Sequence, residues 1–380
     1  MRLLIESIAN GGAGVARHEG KVVFVEGGLV GDVVEAVTIE DKGRFEKAAI
    51  TEVLERSPSR IEPPCPLFGI CGGCMWQHAA YPDQLEWKRQ ILVEQIHRIG
   101  RLEPVVRPVI APGEPYGYRN RMDFSVVDGK PVLRKRGSHS SVVVERCLLL
   151  DSALIGLTAD ADSLQGSEFT LRAGIGTGEV AAIGAGRHPS ISIESPATAV
   201  IHERVGDKTF QISGRAFFQV NTWGAEVLVR LVKEAAGLSE KSHLVDMYAG
   251  GGLFAATVGS EAGRVTAVEW NCRAIADLSV NAPGVHRIDV PVESSFPEIK
   301  VPADVVVVDP PRVGLGRKVV EGILGLSPET VIYVSCDPGS FARDARLLAE
   351  GGLDLDSVQP VDMFPQTPHI EVVGVFKPRV

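Results

Sequence analysis

The chain has 380 residues, 44% of them hydrophobic and 23% charged, which is enough to bury two or three cores and more than one average domain holds. That composition excludes disorder as the main state. No apolar run approaches the roughly 18 residues of a spanning helix, and the opening stretch meets a charge at Glu6 before a signal-peptide core forms, so a soluble, cytoplasmic protein without a membrane contact is expected.

The 39 Lys and Arg against 48 Asp and Glu leave a net charge of −9, which disfavours a nonspecific polyanion binder. The deficit is local. Residues 1–150 carry 20 basic and 19 acidic side chains, and residues 101–146 alone carry 9 basic against 5 acidic. Arg119, Arg121 and the run Arg134, Lys135, Arg136 form either a face for phosphates or an ordinary solvated face.

In chain order, residues 1–54 read as short strands at period two, with glycine turns about every ten residues, the pattern of a small all-β barrel. A proline seam at Pro58 and at Pro63 and Pro64 closes it. After a cysteine-rich turn, Leu85, Ile91, Leu92, Val93, Ile96 and Ile99 predict an amphipathic helix over 81–100, stopped by Gly100. Residues 101–200 are β-rich and punctuated by Gly and Pro, without a recognisable topology. From about 210 the pattern becomes strand, glycine loop, helix, repeated. Strands are expected at 243–247, 265–269, 304–309 and 331–335, and helices at 223–236 and 340–350. This is the order of a doubly wound α/β sheet, with ligand residues at the carboxyl ends of its strands. The expected domains are 1–54, 55–205 and 206–380.

The glycines after Asp246 in Asp246-Met-Tyr-Ala-Gly-Gly-Gly-Leu-Phe254 follow a buried strand and open a helix, so the backbone can approach a ligand there. The next strand ends in Glu269, where an acid typically holds the ribose hydroxyls of a nucleoside cofactor. The loop matches neither G-x-G-x-x-G nor a Walker loop, which favours S-adenosylmethionine over NAD or ATP and leaves a structural turn or another nucleoside as alternatives. A later strand ends Asp309-Pro-Pro-Arg312, similar to the fourth motif of class I methyltransferases. Enzymes that methylate exocyclic amines carry an aromatic residue where Arg312 stands.

Methylating a poor carbon nucleophile such as uracil C5 requires a thiolate added at C6. Cys336 ends a strand just before a helix whose amino terminus favours thiolate, and its alternative is a small packing residue. Six cysteines stand at 65, 71, 74, 147, 272 and 336. Cys65, Cys71 and Cys74 cluster around Gly72 and Gly73, with Cys147 distant, a spacing that favours a [4Fe–4S] cluster over a structural zinc site of two close pairs. A disulfide framework does not suit a reducing cytoplasm.

The motifs Phe217-Phe-Gln-Val-Asn221, Asp246-Met-Tyr-Ala-Gly250, Asp309-Pro-Pro-Arg-Val-Gly314, Val334-Ser-Cys-Asp-Pro338 and Asp362-Met-Phe-Pro-Gln-Thr-Pro-His-Ile-Glu371 resemble, in order and spacing, the RNA uridine C5-methyltransferases of 23S rRNA or tRNA. The resemblance covers nearly the whole chain, since residues 1–54 look like the TRAM RNA-binding barrel. It implies a class I S-adenosylmethionine-dependent methyltransferase domain, Rossmann-like, behind that barrel and a β-rich central region.

Residue by residue, the resemblance implies Gln219, Tyr248, Glu269 and Asp309 around the cofactor, Asp289 facing the adenine, Cys336 as nucleophile and Glu371 as base. It also implies a [4Fe–4S] cluster on Cys65, Cys71, Cys74 and Cys147. The first motif departs from the family at Leu253, where many members have Asn at the methionine end. RNA is the expected partner, rRNA ahead of tRNA, with no obligate protein partner evident. Tyr118, Arg119, Asn120 and Arg121, with Phe217 and Phe218, are candidates for phosphate and stacking contacts. The competing readings are a noncatalytic iron–sulfur RNA-binding protein and an iron–sulfur electron carrier.

Overall fold

A computed structural model describes residues 1–159 and 164–379. Six strands, from Arg2–Leu4 to Phe45–Glu55, make the first sheet, in which Val33–Asp41 and Phe45–Glu55 pair antiparallel with three register shifts. Such shifts bend and twist a strand, and the inner face of this sheet encloses a core of Leu3, Ile5, Val23, Val25 and Val34. Gly14 is required by packing, because a Cβ there would stand 2.8 Å from the Gly28 carbonyl oxygen. The expected small barrel is present.

One buried carboxylate fastens this unit to the proline seam. Asp32 accepts from the Leu29 and Ser57 amides at 2.7 and 2.9 Å and from Arg60 Nε and Nη2, both at 2.7 Å. Arg60 Nη2 also donates to the Gly27 carbonyl at 2.8 Å.

The helix Tyr81–Gln95 continues into a wider turn, Ile96–Gly100. Gly100 is not the residue that reverses the chain: Arg101 takes the left-handed conformation, φ +55°, and ends the helix. Gly100 instead permits a close approach, since a Cβ would lie 3.1 Å from the Ala342 carbonyl oxygen.

The region without a legible topology holds a second six-stranded sheet, in the order Ile193–Glu194, Glu179–Gly184, Glu168–Gly174, Arg121–Val127, Lys130–Arg134, Ser141–Val143. A two-stranded ribbon, Val200–Val205 with Lys208–Ser213, leads from it into the last part of the chain.

Seven strands form that last part, ordered His286–Ile288, Arg264–Val268, His243–Met247, Val305–Val308, Thr330–Ser335, Glu371–Pro378, Leu353–Val361. The first five run parallel, and Glu371–Pro378 is antiparallel to both its neighbours. Val305–Val308 is buried at every position, as a strand covered on both faces by helices must be. The helices start where the sequence offers caps: Asn221 Oδ1 accepts from the Gly224 amide at 3.0 Å, and Asp337 Oδ1 from the Ser340 amide at 2.7 Å. Strand order reverses between His243–Met247 and Val305–Val308, the switch point at whose carboxyl ends sheets of this kind form a ligand crevice. Among the described residues no helix is long and apolar enough to cross a membrane.

Because Arg60 is nearly enclosed against Asp32, deleting the carboxylate leaves a cation without its partner. Asp32→Ala is expected to cost about 3 kcal/mol in chemical denaturation, with Asp32→Asn less severe. A loss under about 1 kcal/mol would show that the barrel is held by its apolar core alone.

Candidate functional site

Asp309, Cys336 and Glu371 converge at one edge of the large sheet. Asp309 follows Val305–Val308 and Cys336 follows Thr330–Ser335, while Glu371 begins the antiparallel strand, so its start lies beside the ends of its parallel neighbours. Ser335 pairs with Val372, which sets Cys336 next to Glu371. Glu371 is only 3% exposed.

These acidic groups perturb one another. Burial pushes Glu371 well above the ordinary carboxylate range, Asp309 adds to this and Arg312 opposes it. Asp309 is itself raised to about 7 by burial. The Cys336 thiol is pushed up to about 11, first by burial and then by Glu371 and Asp309, with Arg312 pulling the other way. The expectation that the helix start favours thiolate is therefore reversed. Desolvation and two carboxyl groups outweigh a dipole whose first amides are engaged by the Asp337 cap.

The glycine loop lies further along the same edge. Tyr248 is left-handed at φ +62°, a conformation that non-glycine residues hold only where surroundings enforce it. Glu269 accepts from the Gly250 amide at 2.9 Å and from the Trp270 and Asn271 amides at 2.8 Å, so it clamps the glycine loop to the end of its own strand. A Cβ on Gly250 would meet nothing within 4 Å, whereas one on Gly252 would strike Leu278 Cδ1 at 2.7 Å. Gly252 serves packing, and Gly250 leaves room.

Asp246, singled out only as the start of its motif, is fully buried. Its Oδ2 accepts from the Ala255 amide at 2.8 Å, and its Oδ1 has no partner. Burial raises it to about 8 despite that amide. An orphaned carboxylate oxygen beside an open glycine backbone suits a ligand with a cationic end.

Other expected residues are distributed unevenly. Gln219 is buried in the segment before the helix Thr222–Ala236, where Asn120 Nδ2 donates to its carbonyl at 3.1 Å. Asp289 follows the edge strand His286–Ile288 but is exposed, lining a separate shallow groove with Ser279 and Arg287. Tyr118 and Asn120 are buried, and the Tyr118 hydroxyl donates to the Pro365 carbonyl at 3.2 Å, so neither offers a surface contact. Phe218 is in the core, while Phe217 stands 72% exposed.

Cys65, Cys71, Cys74 and Cys147 line one cavity of about 250 Å³, with Arg119 and Arg146 at its wall. Cys272 is exposed and lies apart from them. Among the described residues no three His, Cys, Asp or Glu side chains stand close enough to hold a single metal ion. A four-iron cube holds its thiolates farther apart than one ion does, and cationic walls suit its negative charge.

Residues 1–57 match the TRAM domain and residues 300–380 match the tRNA (Uracil-5-)-methyltransferase family. An uncharacterized RNA methyltransferase of Gloeobacter violaceus is 33% identical across 98% of this chain and 95% of its own length. One from Halalkalibacterium halodurans is 31% identical across 99% and 96%. The chain belongs to the RNA methyltransferase family of these relatives. In fold, this methyltransferase is similar to the Pyrococcus abyssi tRNA (uracil-54, C5)-methyltransferase, solved with S-adenosyl-L-homocysteine, at a TM-score of 0.77 and 24% identity over 99% of this chain and 100% of that one. The seven-stranded domain thus has the S-adenosylmethionine-dependent methyltransferase fold, as expected.

The thiol's surroundings predict its reactivity. Alkylation of Cys336 by iodoacetamide, followed by peptide mass, is expected to keep accelerating well past the midpoint of roughly pH 8.5 of a free thiol. A rate that levels off by about pH 9 would show that the carboxyl groups do not govern it.

Proposed function

We propose that this methyltransferase makes 5-methyluridine in a structured RNA, 23S rRNA ahead of tRNA, through a covalent bond between Cys336 and C6 of the target uridine. The observation that carries the reading is the convergence of a thiol, two carboxyl groups and one arginine at the sheet edge beside the glycine loop. RNA binding alone needs no such group, nor does electron transfer.

The cofactor fits this crevice because Asp246 Oδ1 is buried and unpaired and because the face of Gly250 is open. Glu269, Tyr248, Gln219 and Asp309 would hold S-adenosylmethionine, with Asp246 toward its amino-acid end. Asp289, exposed at the margin, would bear on the adenine side only. When bound, the cofactor supplies an electrophilic methyl group and a positive charge.

The chain's own residues do the rest. The target uridine must leave its stack for C5 and C6 to be reached, which exposed Phe217 and the arginine-rich central sheet would assist. Cys336 gives up its proton and its sulfur attacks C6, so that electron density moves to C5. A neighbouring carboxyl group with a raised pKa is suited to take that proton near neutral pH, and Asp309 at about 7 is the better matched. After methylation C5 carries both the methyl group and a proton. Glu371 removes that proton, the C5–H pair forms the C5=C6 bond, and the C6–S bond breaks to return the Cys336 thiolate. A carboxyl group whose proton affinity burial has raised must be ionised to act, and Arg312 is the cation that assists it.

For the cysteine cavity we propose a [4Fe–4S] cluster on Cys65, Cys71, Cys74 and Cys147. Such a cluster would tie the segment after the barrel to the central sheet. The choice between RNAs rests on the cysteine spacing, which resembles rRNA-type enzymes, while the match of residues 300–380 to a family named for tRNA keeps tRNA as the second reading.

Glu371→Gln keeps the shape but removes the proton acceptor. It is expected to accumulate a methylated protein–RNA complex that survives denaturing electrophoresis, with release slowed by about 10²-fold or more, while Cys336→Ala forms none. Labelled cofactor with 23S rRNA and tRNA transcripts identifies the RNA, and release by Glu371→Gln at the wild-type rate would remove Glu371 from its role. Purified protein is expected to be brown, with about four irons and broad absorbance at about 400 nm, lost in Cys74→Ser. Colourless protein with one zinc would replace the cluster assignment.

A further inference from the structure

The segment 362–370 delivers Glu371 to the site, and a helix almost three hundred residues away in sequence holds it there. Lys88, on the helix Tyr81–Gln95, is fully buried; its Nζ donates to Asp362 Oδ1 at 2.6 Å and to the Phe364 carbonyl at 3.1 Å. Asp362 is also fully buried, accepting from the Tyr81 hydroxyl at 3.0 Å and from the Phe364 amide at 3.1 Å. One turn earlier on the helix, Gln84 grips Gln366 at both ends. Its Nε2 donates to Gln366 Oε1 at 3.0 Å, and its Oε1 accepts from the Gln366 amide at 3.1 Å. Gln366 is left-handed at φ +69° and 2% exposed, so its conformation is one its surroundings impose. Its carbonyl accepts from the Met75 and Trp76 amides at 2.9 and 3.1 Å, the residues that directly follow Cys74.

A buried ion pair is a poor way to gain stability, because desolvation offsets most of the attraction and apolar residues of the same volume do as well. What fixed donors and acceptors add is a single backbone position. Lys88 and Gln84 have no exposed surface and cannot touch RNA. Cys336 and Asp309 follow parallel strands locked in the sheet, and the helix Pro338–Glu350 after Cys336 is fastened by Asp344, which accepts from the Leu315 amide at 2.7 Å and the Tyr333 hydroxyl at 3.1 Å. The helix Tyr81–Gln95 and its continuation pack on Pro338–Glu350 through apolar contacts, whereas the hydrogen bonds of Lys88 and Gln84 run to the Glu371 segment and to the turn before their own helix.

We propose that Lys88 and Gln84 are positioning residues for product release: through Asp362 and Gln366 they hold Glu371 where it can take the C5 proton. This rests on the reading of Glu371 as the base. Displacing a proton acceptor by about 1 Å is enough to slow a step by about 10²-fold. Addition and methylation use groups on the other strands and stay close to normal.

The test uses full-length protein, labelled S-adenosylmethionine and the RNA transcript that wild type methylates, with adduct formation and release timed separately in single turnovers. Lys88→Met and Gln84→Met are expected to slow release ten-fold or more and to accumulate the covalent complex, with cofactor affinity and adduct formation near wild type. Release at the wild-type rate in a variant that binds cofactor normally overturns the proposal, as does an equal slowing of formation and release, which a merely loosened fold would produce. If Lys88→Met leaves Asp362 too costly for folding, Gln84→Met decides, since it strands no charge. Glu371→Gln in the same assay separates the two readings. If it traps the complex and the helix variants do not, only the positioning proposal fails; if it releases product normally, the base assignment fails.

Discussion

Three acidic groups crowded into one poorly solvated edge of the sheet are the constraint on which the site depends. Burial raises the energy of ionising each of them, Asp309 adds to this at Glu371 and Cys336, Glu371 adds to it at Cys336, and Arg312 alone among the named groups opposes it. Their affinity for protons accordingly lies above the ordinary range. That affinity opposes the proposed chemistry at two points, since the thiol must lose its proton early and Glu371 must be ionised before it can accept one late. It also makes the order of charge arrival important, because a positive charge brought beside Asp309 favours every ionisation the reaction needs.

Such an arrangement is costly to hold, and the surrounding structure is organised to hold it. The parallel strands Val305–Val308 and Thr330–Ser335 are covered on both faces, in part by the helix Tyr81–Gln95, whose Trp87, Ile91 and Leu92 share their core, and they place Asp309 and Cys336 at their ends. Glu371 lacks this support at its own start, so the outlying parts converge on the segment before it. Tyr118 from the central region reaches Pro365, Gln84 reaches Gln366, and the Met75 and Trp76 amides reach the Gln366 carbonyl. Trp76 also donates from Nε1 to the Gly12 carbonyl at 3.1 Å, which brings the barrel into the same set of contacts. Parts that read as separate RNA-gripping modules thus share one structural task.

The parallel strands were legible because a short, mostly apolar run that stops at Asp, Glu or Cys fits a strand buried on both faces better than a solvated strand or an amphipathic helix, and their ends carry the groups of the candidate site. The central sheet was not, because its pairings are long-range: Glu168 lies opposite Ser125 across a long intervening stretch, and no local pattern records that. Lys88 shows a similar limit. On a helix with charged neighbours it reads as a solvated residue, and only its partner at 362 reveals otherwise. Tyr118 and Phe218 looked like contact residues by their type, yet burial gave both to the core. Cys336 was placed correctly but its ionisation was not, since a helix start is visible in sequence while Glu371, thirty-five residues on, is not visible as its neighbour.

The rim of the crevice follows from the same loops that carry its polar groups. Phe217, Trp270 and Val313 are 72%, 66% and 74% exposed, and each lies within two residues of a site residue: Gln219, Glu269 and Arg312. Phe217 precedes buried Phe218 and Trp270 follows buried Glu269, so those two loops set an exposed apolar side chain beside a buried one, while Val313 follows Arg312, which is itself exposed. In an enzyme acting on a small metabolite such apolar residues would favour aggregation. The RNA substrate of this family gives these surfaces a partner to lie against, and covering them would desolvate Arg312 together with the acidic groups beside it, so exposure at the rim and raised proton affinity at the floor are properties of neighbouring residues on the same loops.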